Sequence, residues 1–114
     1  MRWLFLGLLI LPGQAAAWEA MDVAALAGLD IRFGRGMQHF YPSGRTFHTP
    51  RADDPFADGP SWGYWKVVNA RYCAQWPPDP GWMCFDLDRS GRTVRFQGDD
   101  GGVVLGEVIA GENE

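Results

Sequence analysis

Cys73 and Cys84 are the only cysteines of the chain, and the ten residues AQWPPDPGWM separate them. Two chemistries use such a pair: a dithiol that cycles, or a bridge that stays. Thiol oxidoreductases favour C-x-x-C at a helix start, where the helix dipole lowers a thiol pKa. Here the spacing is wider and both cysteines stand in strand-like sequence, so a structural disulfide is expected. A closed loop of this size contributes about 3 kcal/mol on the entropic account of disulfides. The loop also holds three prolines, which restrict φ and leave little entropy to lose if a partner grips it. Trp76 and Trp82 flank it. They either cap the open end of a core or form an aromatic platform for a sugar ring, a cation or a partner protein.

The remaining chemistry-bearing residues form weaker sets. His39 and His48 point to opposite sheet faces in the hairpin register given below, so they cannot share a metal, and no metal site is expected. Asp53, Asp54 and Asp58, and the pair Asp99 and Asp100, lack the spacing of a calcium loop and read as turn formers beside Gly and Pro. Ser43, Ser61 and Ser90 carry no G-x-S-x-G signature. GRGMQH, from Gly34, begins like a dinucleotide fingerprint, but His39 takes the place of the third glycine and strands follow instead of a helix. No cofactor and no enzymatic activity are expected.

The elements that must position these residues are mostly strands. EAMDVAALAG places Val23, Leu26 and Ala27 at helical spacing and stops at Gly28, so a helix of about two turns is expected. From LDIRF onward the hydrophobic period is two. MQHFY-PSG-RTFH reads as a hairpin, with Gly44 left-handed after a type I turn, pairing Phe40 with Thr46, His39 with Phe47 and Gln38 with His48. A long Pro- and Asp-rich loop follows, TPRADDPFADGPS. Strands resume as WGYWKVV, RYCAQ, WMCFDL, TVRFQ and VVLGEVI, broken by turn signals. About eight strands without interleaved helices predict an all-β antiparallel meander. A small barrel or strongly curled sheet, with the short N-terminal helix across one opening, fits best.

Register sharpens the cysteine hairpin. If Cys73 faces Cys84, then Tyr72 faces Phe85, Ala74 faces Met83 and Arg71 faces Asp86. One face is then apolar (Tyr72, Ala74, Met83, Phe85, Leu87), and the other carries the disulfide and the charges. Trp82 falls on the disulfide face and Trp76 on the core face near the rim. Extended to the next strand, the register sets Leu87 against Val94 and Phe85 against Phe96. Arg95 then joins Arg71 and Asp86 in a charge row across three strands, each pair worth a few tenths to about 1 kcal/mol.

Bulk properties set the compartment and exclude classes of partner. Arg2, an apolar run from Trp3 to Leu11, the breakers Pro12 and Gly13, and Ala15-Ala16-Ala17 have the layout of a secretory signal peptide spanning 1–17. The run is about half of what a membrane span needs. The expectation is one small β-domain over 18–114, periplasmic or secreted, with no membrane insertion after signal removal. The formal charge of −4 drops to about −5 once Arg2 is removed, and no basic stripe is present, which speaks against nucleic acid. A domain of this size buries only about 60 per cent of its surface and benefits from a covalent staple.

The order QHFYPSGRTFH, SWGYWKV, RYCAQWPP…WMCFDL, RFQGDDG resembles a group of short exported bacterial proteins of unknown function. Their G-R-T, W-G-x-W-x-V and Y-C-x-Q-W motifs match Gly44, Arg45 and Thr46; Trp62, Gly63, Trp65 and Val67; and Tyr72, Cys73, Gln75 and Trp76, with Cys84 after them. The resemblance implies a compact disulfide-bonded β-domain and brings no reaction. Similar chains sometimes carry a dihydrodipicolinate reductase label. This chain is about half or less of the size that a nucleotide-binding plus a substrate domain needs, and it lacks the glycine fingerprint. The functional expectation is a non-catalytic domain that binds a small ligand or glycan through a pocket or platform of Trp76, Trp82, Trp62, Trp65 and Tyr72. The alternative is an interaction module or hydrolase inhibitor presenting the WPPDPG loop.

Overall fold

A computed structural model describes residues 17–54 and 59–111. The signal-peptide expectation falls, all but Ala17, on residues outside this range. Nine strands form one antiparallel sheet: β1 (Glu19–Ala20), β2 (Asp30–Phe33), β3 (Gly36–Phe40), β4 (Arg45–Pro50), β5 (Ser61–Val68), β6 (Arg71–Gln75), β7 (Met83–Ser90), β8 (Thr93–Gly98) and β9 (Val103–Ala110). Strands β2 to β9 pair in sequence order, and β9 returns to β2, so eight strands close a barrel. β1 is the extra strand. It takes the edge of β7 at Asp88 and Arg89, beyond the point where β6 ends.

The N-terminal helix is corrected by the structure. Glu19 and Ala20 are strand, and only Val23–Leu26 wind, as one 3-10 turn capped by the Asp22 carboxylate, which accepts from the Ala24 N–H at 3.2 Å. The physical reason is the barrel itself. The open edge of β7 captures the start of the segment, and the rest crosses the barrel end to enter β2. Side chains three apart eclipse in a 3-10 turn, so Val23 and Leu26 both point inward and plug that end. Gly28 follows at φ +87, where the sequence placed a left-handed stop.

Two hairpins keep the expected register. β3 and β4 pair Phe40 with Thr46, His39 with Phe47 and Gln38 with His48, around a Gly44 at φ +94. β6 and β7 pair Cys73 with Cys84, Tyr72 with Phe85 and Ala74 with Met83, and the two sulfurs are bonded. The β7–β8 register differs by two residues: Leu87 lies opposite Phe96, and Asp88 opposite Arg95. The turn decides this. Ser90 pairs with Thr93 around Gly91-Arg92, and Gly91 takes φ +59 at the first central position of a two-residue loop. A shift of two leaves every side chain on its expected face, so the apolar side survives while the charge partners change.

The barrel has two unlike ends. The turns after β3, β5 and β7 and the 3-10 turn gather at a closed floor, packed with Leu26, Leu29, Ile31, Phe40, Trp65, Val94 and Val108. The turns after β2, β6 and β8 and the end of β4 surround the other end, the mouth.

Candidate functional site

Among the described residues the mouth is not filled. A cavity of about 430 Å³ opens there, walled by Phe33, Trp76, Met83, Phe85, Phe96 and Val104, with Gln38, Tyr72 and Ala74 buried in its lining, His48 beside Trp76 and Arg35 at the rim. Eight strands enclose an interior that side chains can just fill or that holds one small ligand. Here Ala74 lines the cavity and leaves room that a larger residue would occupy, whereas the space over Gly63 is taken by Trp76 and that over Gly106 by Ile31 and Phe33. Gly63 also seats Trp76: a Cβ there would lie 2.7 Å from the indole ring and 2.7 Å from the Gln75 carbonyl oxygen.

The lower wall carries a hydrogen-bond chain. Thr46 Oγ1 donates to the His39 carbonyl at 2.7 Å, so it accepts from Gln38 Nε2 at 2.9 Å. The same amide nitrogen donates to the Tyr72 hydroxyl at 3.2 Å. Both Gln38 and Tyr72 are buried. Burial pushes the Tyr72 pKa up to about 12, against a smaller lowering effect of Gln38, so the phenol keeps its proton. His48, edge-on to Trp76 with ring centroids 6.5 Å apart, has its pKa lowered by burial, which favours the neutral imidazole. Among the described residues no carboxylate lines the cavity.

The five aromatic residues expected to bind do not form one site. Tyr72 and Trp76 line the cavity. Trp65 lies below it in the core, its indole N–H donating to the Tyr41 carbonyl at 2.9 Å. Trp62 and Trp82 are on the outer wall. Trp62 packs between Tyr41 and Phe47 with the Arg45 guanidinium 4.4 Å from its ring centroid. Trp82 lies under Lys66 Nζ at 4.0 Å. Trp76 and Trp82 thus flank one loop on opposite faces of the wall. The loop is held from within: Asp79 N–H donates to the Trp76 carbonyl at 3.0 Å and Gln75 Nε2 to the Pro80 carbonyl at 2.8 Å, while Pro77, Pro78, Asp79 and Pro80 stay exposed.

The charge row Arg71–Asp86–Arg95 is corrected. Arg71 bridges Asp86 at 3.0 Å and Asp99 at 2.7 Å, whereas Arg95 pairs with Asp88 and stacks on Trp18. The two-residue shift at Gly91 separates them. Asp53 holds Arg51, and Asp100 accepts from the Gly102 N–H at 2.8 Å within its own turn. Asp58 lies outside the described residues. His39 pairs with Asp30 on the outside while His48 faces inward. A larger hollow, about 600 Å³, lies between Arg32, Met37, Thr49 and Arg51. Its cations are already paired, Arg32 with Glu107 and Arg51 with Asp53.

Sequence reasoning missed Gln38, His48, Arg35 and the phenylalanines of the wall. A signal for Gln38 and His48 existed: in strands they share parity with Phe40 and Thr46, which places polar side chains on the inward face. No protein-family model, curated protein or solved structure matches the chain.

Proposed function

We propose that this domain is a non-catalytic binding protein that takes one small, mainly apolar molecule into the mouth of the barrel. The observation that supports this reading is the cavity, about 430 Å³ with aromatic walls and a few converging polar groups. Binding pockets for small molecules share that size and that make-up. The pocket is favoured over an aromatic platform because Tyr72 and Trp76 turn into it, while Trp62 and Trp82 already hold Arg45 and Lys66 outside. The protein works in the periplasm or outside the cell, and the Cys73–Cys84 bridge fits an oxidising compartment.

Titration with the fluorescent apolar probe 1-aminoanthracene tests the reading. One saturable site is expected, and Ala74→Leu, which fills the cavity from its wall, should weaken uptake at least tenfold. Wild-type protein that shows no saturable uptake would overturn it. A second reading, inhibition of a secreted hydrolase by the WPPDPG loop, draws on the exposed, internally bonded prolines. Loss of such inhibition in a Pro77→Ala/Pro78→Ala/Pro80→Ala variant that still takes up the probe would favour it.

A further inference from the structure

The polar groups at the bottom of the cavity specify more than an apolar guest. Thr46 gives its hydroxyl proton to the His39 carbonyl, which leaves it only an acceptor toward Gln38. The Gln38 amide must therefore present its nitrogen to Thr46, and its second N–H goes to the Tyr72 oxygen. Both amide protons are used. Among the described residues the Gln38 Oε1 then accepts nothing, and the Tyr72 O–H donates to nothing. These side chains are only 7% and 4% exposed, and both line the cavity. A buried acceptor and a buried donor thus stand side by side, joined through one amide nitrogen.

A hydroxyl group satisfies both at once, donating to Gln38 Oε1 and accepting from Tyr72. A carboxylate cannot donate to the amide oxygen, and an ammonium cannot accept from the phenol. Above this pair the walls are rings: Phe33 and Phe96 have centroids 5.4 Å apart, and Phe85 and Phe96 6.4 Å, with Trp76 across from them. Flat aromatic surface suits an aromatic guest. At the rim Arg35 is exposed, and among the described residues it has no acidic partner. Arg35 is the cation of the lining, and among the described residues no carboxylate lines the cavity, so a carboxylate at the outer end of a guest would find its counter-charge in Arg35.

We infer that the ligand class is an aromatic carboxylate bearing a hydroxyl at its far end, bound with the hydroxyl between Gln38 and Tyr72 and the carboxylate toward Arg35. This rests on the cavity being a binding site.

Calorimetry and tryptophan fluorescence with three probes test it: 4-hydroxycinnamate, cinnamate without the hydroxyl, and 4-vinylphenol without the carboxylate. Each is also scored by displacement of 1-aminoanthracene. The expected result is that 4-hydroxycinnamate binds about tenfold tighter than cinnamate, the size of one or two net hydrogen bonds. It should also bind several-fold tighter than 4-vinylphenol, and that margin should shrink as salt rises. Tyr72→Phe should close the gap between 4-hydroxycinnamate and cinnamate. Arg35→Gln, in an exposed turn, should erase the margin over 4-vinylphenol, and this test does not depend on whether Tyr72→Phe folds. If 1-aminoanthracene binds but 4-hydroxycinnamate shows no advantage over cinnamate, the ligand class is wrong and the binding cavity stands. If neither 1-aminoanthracene nor any of the three probes binds, both readings fall.

Discussion

The two ends of this barrel are built from the same strands and end differently. At the floor, Phe40 is fully buried and meets Trp65 and Tyr72 edge-on, each with centroids 5.8 Å away, under the plug of Val23 and Leu26. At the mouth, the rings of Phe33, Phe85 and Phe96 surround space, and Met83 is 57% exposed. Alternation cannot distinguish the two ends, since both place apolar residues inward. Among the described residues a covering segment lies at one end only, and small and polar residues (Ala74, Gln38, His48) take inward positions at the other. Packing is thereby concentrated at the floor.

The sharpest way to break that division is to truncate one residue at each end. Phe40→Ala should cost about 3–5 kcal/mol in denaturant unfolding, as transfer and cavity penalties add. Met83→Ala should stay within about 1 kcal/mol. Equal losses would mean that the mouth is as tightly packed as the floor. Next in size, the double change Cys73→Ser/Cys84→Ser should cost about 3 kcal/mol. Amide exchange should rise most near Trp76 and Trp82 and least around Phe40, because the bridge ties the two strands that feed the mouth loop.

Tyr72 joins the two halves and makes a prediction in pH. Its folded pKa of about 12 lies above the unfolded value of about 10, so the folded state keeps a proton that the unfolded chain releases. The stabilisation is whole below pH 10 and is lost as pH rises through 12, by about 2–3 kcal/mol over that window. Tyr72→Phe should remove most of that alkaline decline, and an unchanged curve would show that burial of the hydroxyl does not matter. Gly63→Ala should cost about 1–2 kcal/mol from overpacking against the Trp76 ring and the Gln75 carbonyl. Its diagnostic is a fluorescence change that disappears when the same substitution is made in a Trp76→Phe background.

Much of the wall was legible in the sequence, because strand parity is a local property. The faces of Tyr72, Ala74, Phe85 and Leu87 followed from assuming that Cys73 faces Cys84, and the pairing of β3 with β4 followed from Pro42-Ser43-Gly44. The β7–β8 register was not legible: Ser90-Gly91 and Gly91-Arg92 are both plausible turn centres, and only the positive φ of Gly91 at the first position separates them. The helix reading erred for a related reason. EAMDVAALAG has helical spacing, but spacing cannot reveal that the edge of β7 is vacant beyond β6 and takes Glu19 and Ala20.

What the sequence determined by itself is the class of structure and the sidedness of nearly every strand, since period-two alternation and turn chemistry act over a few residues. The cysteine pairing is of the same kind, two positions in one hairpin. What only the tertiary structure decided is which residues share a space. Closure of β9 onto β2 puts Phe33, Phe96 and Val104 around Tyr72, and separates Trp62 and Trp82 from Trp76 by the thickness of the wall. Proximity across a barrel depends on strand order, register and which end is covered, and these are properties of the whole closed sheet.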